Sequence, residues 1–181
     1  MKKFLTLKNV LLCGAAVLAL VAFILSFTAG VNFVDSDGNT AKFFNFIWGP
    51  KRFMEAGYEA DIPAALLPMP KATLPIVGSL LALVGVAAAV VVGLLVKKPF
   101  TKWLVVVCGA LSVVGGVFFF LFNGTAVAQF AKMMGMTIEQ AKQVIAAMGI
   151  KITSAGAVVA GILAILAGGL CATSALLPEK K

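Results

Sequence analysis

Charged side chains divide the chain into long silent stretches. None occurs between Lys8 and Asp35, between Lys71 and Lys97, between Lys102 and Lys132, or between Lys151 and Glu179. Each gap exceeds the roughly 20 apolar residues that a helix needs to cross about 30 Å of hydrocarbon. The pattern predicts membrane-spanning helices near 10–30, 74–96, 103–123 and 152–175.

Small residues recur inside these spans at alternating steps of four and three. They are Ala15, Ala19, Ala22, Ser26 and Ala29 in the first, and Gly78, Ala82, Gly85 and Ala89 in the second. The third carries Cys108, Ser112 and Gly115, and the fourth Ala157, Gly161, Ala164, Gly168, Cys171 and Ala175. That spacing keeps residues on one seam of a left-handed supercoil. Lipid offers no hydrophobic drive between helices, so small side chains that let backbones approach supply the packing. The expected fold is an all-α membrane protein: a left-handed four-helix bundle with a small β-hairpin and helix element in the first outer loop. A second small row in the fourth span (Gly156, Ala160, Ala164, Gly168 and Ala172) suits a partner helix as well as chance.

Two longer loops alternate with this framework, at roughly 31–73 and 124–151. In the first, VNFVDSDGNTAKFFNF reads as a β-hairpin turning at Asp37-Gly38, a pair suited to a two-residue turn. That turn would set Phe33 opposite Lys42 and Asn32 opposite Phe43. KRFMEAGY then suggests one or two helical turns ended by Gly57, and ADIPAALLPMPKATLP a proline-rich return to the membrane. Thr73 and Thr101 stand where they could cap the second and third spans, with Pro75 in the first turn of the second and Pro99 in the KKPFTK turn. In the second loop, Thr137 and Gln140 fit a capping box for a helix running to Met148 and stopping at Gly149. Ile138, Ala141, Val144, Ile145 and Met148 fall on one face of it, and FAKMMGM extends the third span outward. Such a helix would lie over the hairpin or on the lipid interface.

Composition agrees: 61% of the 181 residues are hydrophobic and 12% charged, far from the balance of a soluble domain. The net charge of +8 changes meaning once it is located. Lys2, Lys3, Lys8, Lys97, Lys98, Lys102, Lys180 and Lys181 all flank one side of the spans, accompanied by one acid, Glu179. The dense lysine side is expected to be cytoplasmic, with both termini inside and both long loops outside. A lysine collar favours anionic lipid; a nucleic-acid groove needs bases gathered on one folded surface. MKKFLTLKN resembles the start of a signal peptide, but the apolar run after it exceeds the usual length and SFTAG sets Phe27 where a small residue is wanted. An uncleaved first helix is expected.

The stretch FFNFIWGPKRF holds the candidate interaction residues Phe43, Phe44, Phe46, Trp48, Arg52 and Phe53. Three surroundings are open to it: the protein's own loop packing, the headgroup layer where Trp commonly sits, or a partner, since aromatics beside Arg resemble interface anchors. Catalytic chemistry is poorly served. There is no histidine, so the commonest base and metal ligand is missing. Cys13, Cys108 and Cys171 all lie in apolar runs and suit helix contacts. Asp35, Asp37 and Asn39 suggest a calcium loop, but Gly38 precedes Asn39, which favours a turn. Asp35, Asp37, Glu55, Glu59, Asp61 and Glu139 sit in loops, and Ser79, Ser112, Ser154 and Ser174 have no histidine to activate them. No enzyme activity, cofactor or metal is expected. The spans also lack the ionisable groups common in ion-coupled transporters.

Short inside termini, a long first outer loop with strands and Trp48-Gly49, and a shorter second loop resemble the claudin-like tetraspan plan. Claudins carry a W…GLW…C…C signature there; this chain has no loop cysteine. The chain is also similar to small, mostly uncharacterised four-helix membrane proteins of Gram-positive bacteria, with Phe44-Asn45-Phe46-Ile47-Trp48-Gly49 standing for their F-x-x-I-[FW]-G element. The expectation is a non-enzymatic scaffold or accessory subunit in the cell membrane, contacting lipid and either a membrane-protein partner or itself. The alternative is a small-solute transporter or channel without buried charge.

Overall fold

The computed structural model describes residues 6–96 and 100–177. Lys2, Lys3, Lys97, Lys98, Lys180, Lys181, Glu179 and Pro99, on which part of the charge and turn reading falls, lie outside them. Four helices are long and apolar enough to cross a membrane. They are α1 (Leu7–Thr28), α2 (Thr73–Leu95), α3 (Thr101–Phe119), which runs on through a short turn into α4 (Asn123–Met133), and α6 (Ala155–Leu176). α5 (Ile138–Ala147) is a short helix outside the spans. At about 1.5 Å per residue, the 33 residues from Thr101 to Met133 reach well beyond the roughly 30 Å of hydrocarbon. α4 is the excess.

The bundle is a ring in the order α1, α2, α3, α6, with α6 closing onto α1 and also touching α2. Its polarity is inverted relative to a water-soluble bundle. On α1 the buried residues are Leu12, Ala15, Ala19, Ala22 and Ser26, while Val10, Val17, Leu20, Ile24 and Phe27 are exposed. Lipid tails solvate a large apolar side chain as well as a protein core does, so close approach of backbones is what decides the inner face. On α2, Gly78, Ala82, Gly85 and Ala89 are buried; on α3, Ser112 and Gly115 are buried and Cys108 half-buried. On α6, Ala157, Gly161, Ala164, Gly168, Cys171 and Ala175 are buried, as are Ala160 and Ala167.

Two seams are closest. A methyl group on Gly78 would overlap the carbonyl oxygen of Gly115, and one on Gly85 would lie 2.7 Å from the Cys108 carbonyl. Across the other seam, a methyl on Gly109 would lie 2.8 Å from the Gly168 carbonyl, and one on Gly116 2.7 Å from that of Gly161. The Ser112 hydroxyl donates to the Ala164 carbonyl at 2.8 Å, a polar tie within the α3–α6 seam.

Above the bundle lies one antiparallel sheet in the order β4-β3-β2-β1-β5. Its strands are β1 (Val31–Val34), β2 (Thr40–Phe43), β3 (Arg52–Glu55), β4 (Tyr58–Asp61) and β5 (Lys151–Thr153). Here the structure corrects two sequence expectations and adds a third feature that the sequence did not announce. First, the β1–β2 register is shifted by one: Phe33 faces Ala41 and Asn32 faces Lys42. Asp37 does not adopt the positive φ that a two-residue turn demands; only Gly38 does, at 86°. The Asp35 carboxylate instead accepts from the Asp37 and Asn39 amides at 3.0 and 2.8 Å and holds a longer turn. This register puts Val31, Phe33, Ala41 and Phe43 on one face, whereas the expected one set Phe33 against a lysine.

Second, KRFMEAGY forms a hairpin, not a helix. β3 pairs with β2 and turns through Ala56 (φ 49°) and Gly57 (φ 84°) into β4. The open edge of β2 supplies the hydrogen-bonding partner that local propensity does not foresee. Third, β5 pairs with β1, so the second loop contributes a strand to the sheet of the first. Ser154, the cap residue of α6, donates to the Gly30 carbonyl at 2.7 Å. Two smaller differences concern caps: Ala72 occupies the cap position of α2, with Thr73 its first residue, and the Thr101 hydroxyl donates back to the Val96 carbonyl at 3.0 Å.

The apolar face of the sheet is continuous with the bundle. Val31, Phe33, Phe43, Phe46, Ile47, Ile62 and Met69 share one buried cluster with Ala22, Ala82, Phe119, Phe122 and Ala157 of the helices. α4 packs against this same apolar face, where Phe130 stacks on Phe33, and α5 follows it. α5 begins with the capping box, in which the Thr137 hydroxyl accepts from the Gln140 amide and the Gln140 side chain from that of Thr137, and it ends at Gly149 (φ 62°).

Candidate functional site

The aromatic stretch 43–53 packs mainly on its own protein. Phe46 and Ile47 are fully buried. The Phe46 ring meets Phe122 edge-on at 5.7 Å, and the Phe46 amide donates to the Ala29 carbonyl at 3.0 Å. Phe43 is buried against Phe33 (5.5 Å, edge-on), with half-buried Phe53 at 6.5 Å. Trp48 stacks on Phe27 of α1 at 4.7 Å, and its indole N–H donates to the Ser26 hydroxyl at 3.1 Å. Half-buried Phe44 lies under the Lys42 ammonium at 4.9 Å, and Arg52 pairs with Glu59 at 2.6 Å. Arg52 is the exposed member of the set, and Phe44, Trp48 and Phe53 are half-buried.

One buried polar residue secures this segment. Gln129 of α4 is fully buried, and its amide nitrogen donates to the carbonyls of Phe46 and Pro70, both at 2.8 Å. One turn later the Lys132 ammonium reaches the Pro68 carbonyl at 2.7 Å. A lone Gln among the small and apolar residues of α4 is the sequence signal for this clasp.

Between the apolar face of the sheet and the helices α4 and α5 lies a groove of about 410 Å³. Its walls are Phe33, Ala41, Phe130, Met134, Val144, Met148 and Ile150; its mouth carries Asp35, Asn39, Thr40 and Glu55. Phe130 stacks on Phe33 at 5.4 Å and forms part of the floor. Glu55 stands directly opposite Ala41 in the ladder and so belongs to the apolar face, at its outer end. Its carboxylate has no partner among the described residues. Asp35 is bound differently. The Asn39 side-chain amide at 2.9 Å does most to hold its carboxyl below the ordinary range, helped by backbone amides of Asn39, Asp37 and Gly38 and opposed by slight burial. Ligand pockets commonly have about 300–1,000 Å³ and a mostly apolar lining with few polar groups. This groove fits that description, and its components come from three sequence regions that no local pattern connects.

The remaining candidate chemistry is dispersed. Among the described residues no three of His, Cys, Asp and Glu come together as a metal-binding group. Cys13, Cys108 and Cys171 are free thiols. On the side of the lysine collar, a smaller crevice of about 270 Å³ lies between α3 and α6, lined by Lys102, Trp103, Val106, Ala175 and Leu176. The chain is a multi-pass helical membrane protein with a small β module. It matches no known protein family and no curated protein.

Proposed function

We propose that the protein is a non-enzymatic membrane protein that handles a small solute of low polarity, in the manner of a transporter or channel component whose spans bury no charged side chain among the described residues. The carrying observation is the groove: an apolar cavity with a polar mouth, whose walls share a buried cluster with the helix bundle. The sheet side faces outward and the lysine side faces the cytoplasm in this reading, as the density of lysine around the latter favours. The layout behind this reading is a four-span helical bundle with a small β element.

The test is solute capture and flux with the full chain in liposomes. Uptake of a neutral aromatic solute above that of empty vesicles, reduced when Met148→Trp fills the groove, supports the reading. Flux and binding both indistinguishable from those of empty vesicles overturn it.

A second reading, scaffold or accessory subunit, is favoured by a separate observation. β4 is an edge strand with all four residues exposed, and Tyr58 at its start is 80% exposed. An open edge is a template for strand addition by a partner. Photocrosslinking from position 58 in the native membrane tests it; a lone monomer without adducts counts against it.

A further inference from the structure

The groove has a charge bias that its size alone does not require. Its lining includes two carboxylates, Asp35 and Glu55, and no lysine or arginine. Of the bases near it in the chain, Lys132 bonds the Pro68 carbonyl, Lys142 pairs with Glu139 at 2.9 Å and Arg52 with Glu59, while Lys42 and Lys151 stand opposite Asn32 and Val34, on the other face of the sheet from Phe33. Below the mouth the lining is aromatic and thioether, Phe33 and Phe130 with Met134 and Met148. Aromatic faces attract cations, and methionines adapt to irregular apolar bodies.

The two acids have different parts. Asp35 is engaged by its own turn, through two backbone amides and the Asn39 side chain; it contributes a fixed negative field. Glu55 has no partner among the described residues and stands opposite Ala41 on the apolar face of the sheet. A carboxylate so placed, at the edge of a hydrophobic concavity, sits where a cationic head would rest while its apolar body fills the floor.

We propose that the groove binds an amphipathic organic monocation, with Glu55 as the counter-charge and the Phe33–Phe130 stack as the apolar seat. This deepens the solute-handling reading and rests on it.

The experiment uses the full chain in nanodiscs of neutral lipid and calorimetric titration of three matched probes: 4-phenylbutyltrimethylammonium, its neutral tert-butyl isostere and 4-phenylbutylsulfonate. The cation is expected to bind at least about tenfold more tightly than the isostere, more weakly as salt is raised, and the sulfonate most weakly. Glu55→Gln should erase the advantage of the cation, Glu55→Asp should restore part of it, and Met148→Trp should weaken cation and isostere together. Equal binding of cation and isostere, both lost in Met148→Trp, overturns the cation assignment and leaves the solute reading standing. An unchanged preference in Glu55→Gln also overturns it. Absence of binding by all three probes overturns it as well, and flux of a neutral solute then decides the broader reading separately.

Discussion

Substituting Gly115 by alanine tests the principle on which the bundle is built. The added methyl would overlap the Gly78 carbonyl oxygen and lie 2.9 Å from the Ala82 nitrogen and 3.3 Å from the Leu81 Cβ. The first two are backbone atoms of α2, so no rotamer change relieves the clash. The helices must part, and a gap of about 0.5–1 Å already forfeits about a quarter to a half of a dispersion well. Overpacking of this kind costs about 1–3 kcal/mol, a change of about five- to 150-fold in the folded-to-unfolded ratio. Gly169 is the matched control. It lies in α6, nothing stands within 4 Å of a methyl built there, and alanine at such a site is neutral or gains up to about 1 kcal/mol of helix propensity. The assay is reversible unfolding from neutral-detergent micelles by added dodecyl sulfate, followed by far-UV circular dichroism. If Gly115→Ala unfolds within about 0.5 kcal/mol of Gly169→Ala, a difference ordinary for surface changes, close backbone approach does not hold α2 to α3.

Four further outcomes are expected. Gln129→Leu leaves the Phe46 and Pro70 carbonyls without their side-chain donor, each costing about 1–3 kcal/mol; limited proteolysis should cut within 62–72 before the spans unfold. Ala56→Gly removes a left-handed alanine (φ 49°) and should stabilise the β3–β4 hairpin by about 1 kcal/mol, read as slower amide exchange across that ladder. Ser112→Ala should cost about 0.6 kcal/mol, the mean for interhelical hydrogen bonds in membranes, and less than Gly115→Ala in the same unfolding assay. The Asp35 carboxyl is held below its ordinary value, so its contribution is full above the ordinary aspartate pKa and fades as pH falls through the lowered one. The Asn39 amide resonance should therefore shift at lower pH than in Asn39→Ala, and coincident titrations would contradict the turn's role.

What could be read in the sequence follows the range of the forces involved. A helix in lipid must satisfy its own backbone, so charge-free length announces it, and the step of four and three locates the face that packs. The β module depends on partners remote in the chain. Asp37-Gly38 looked like a two-residue turn because residue type alone does not say which φ will be positive. The β3–β4 turn was hidden by alanine at a position usually filled by Asn, Asp or Gly. β5 is three residues long, too short for a periodic signal, and exists because β1 offers an edge. The groove was least legible of all: Phe33, Glu55, Phe130 and Met148 become neighbours only after two loops have folded over each other.

The ladder between β1 and β5 has a mechanical consequence. β1 begins three residues after α1 ends, and β5 runs into α6 through Ser154 alone. The first and last membrane crossings are thereby clamped into a stiff frame at one end. A tilt forced on either crossing by a thinner or thicker bilayer must swing the strands with it, so the shape of the cavity mouth is geared to the thickness of the surrounding lipid.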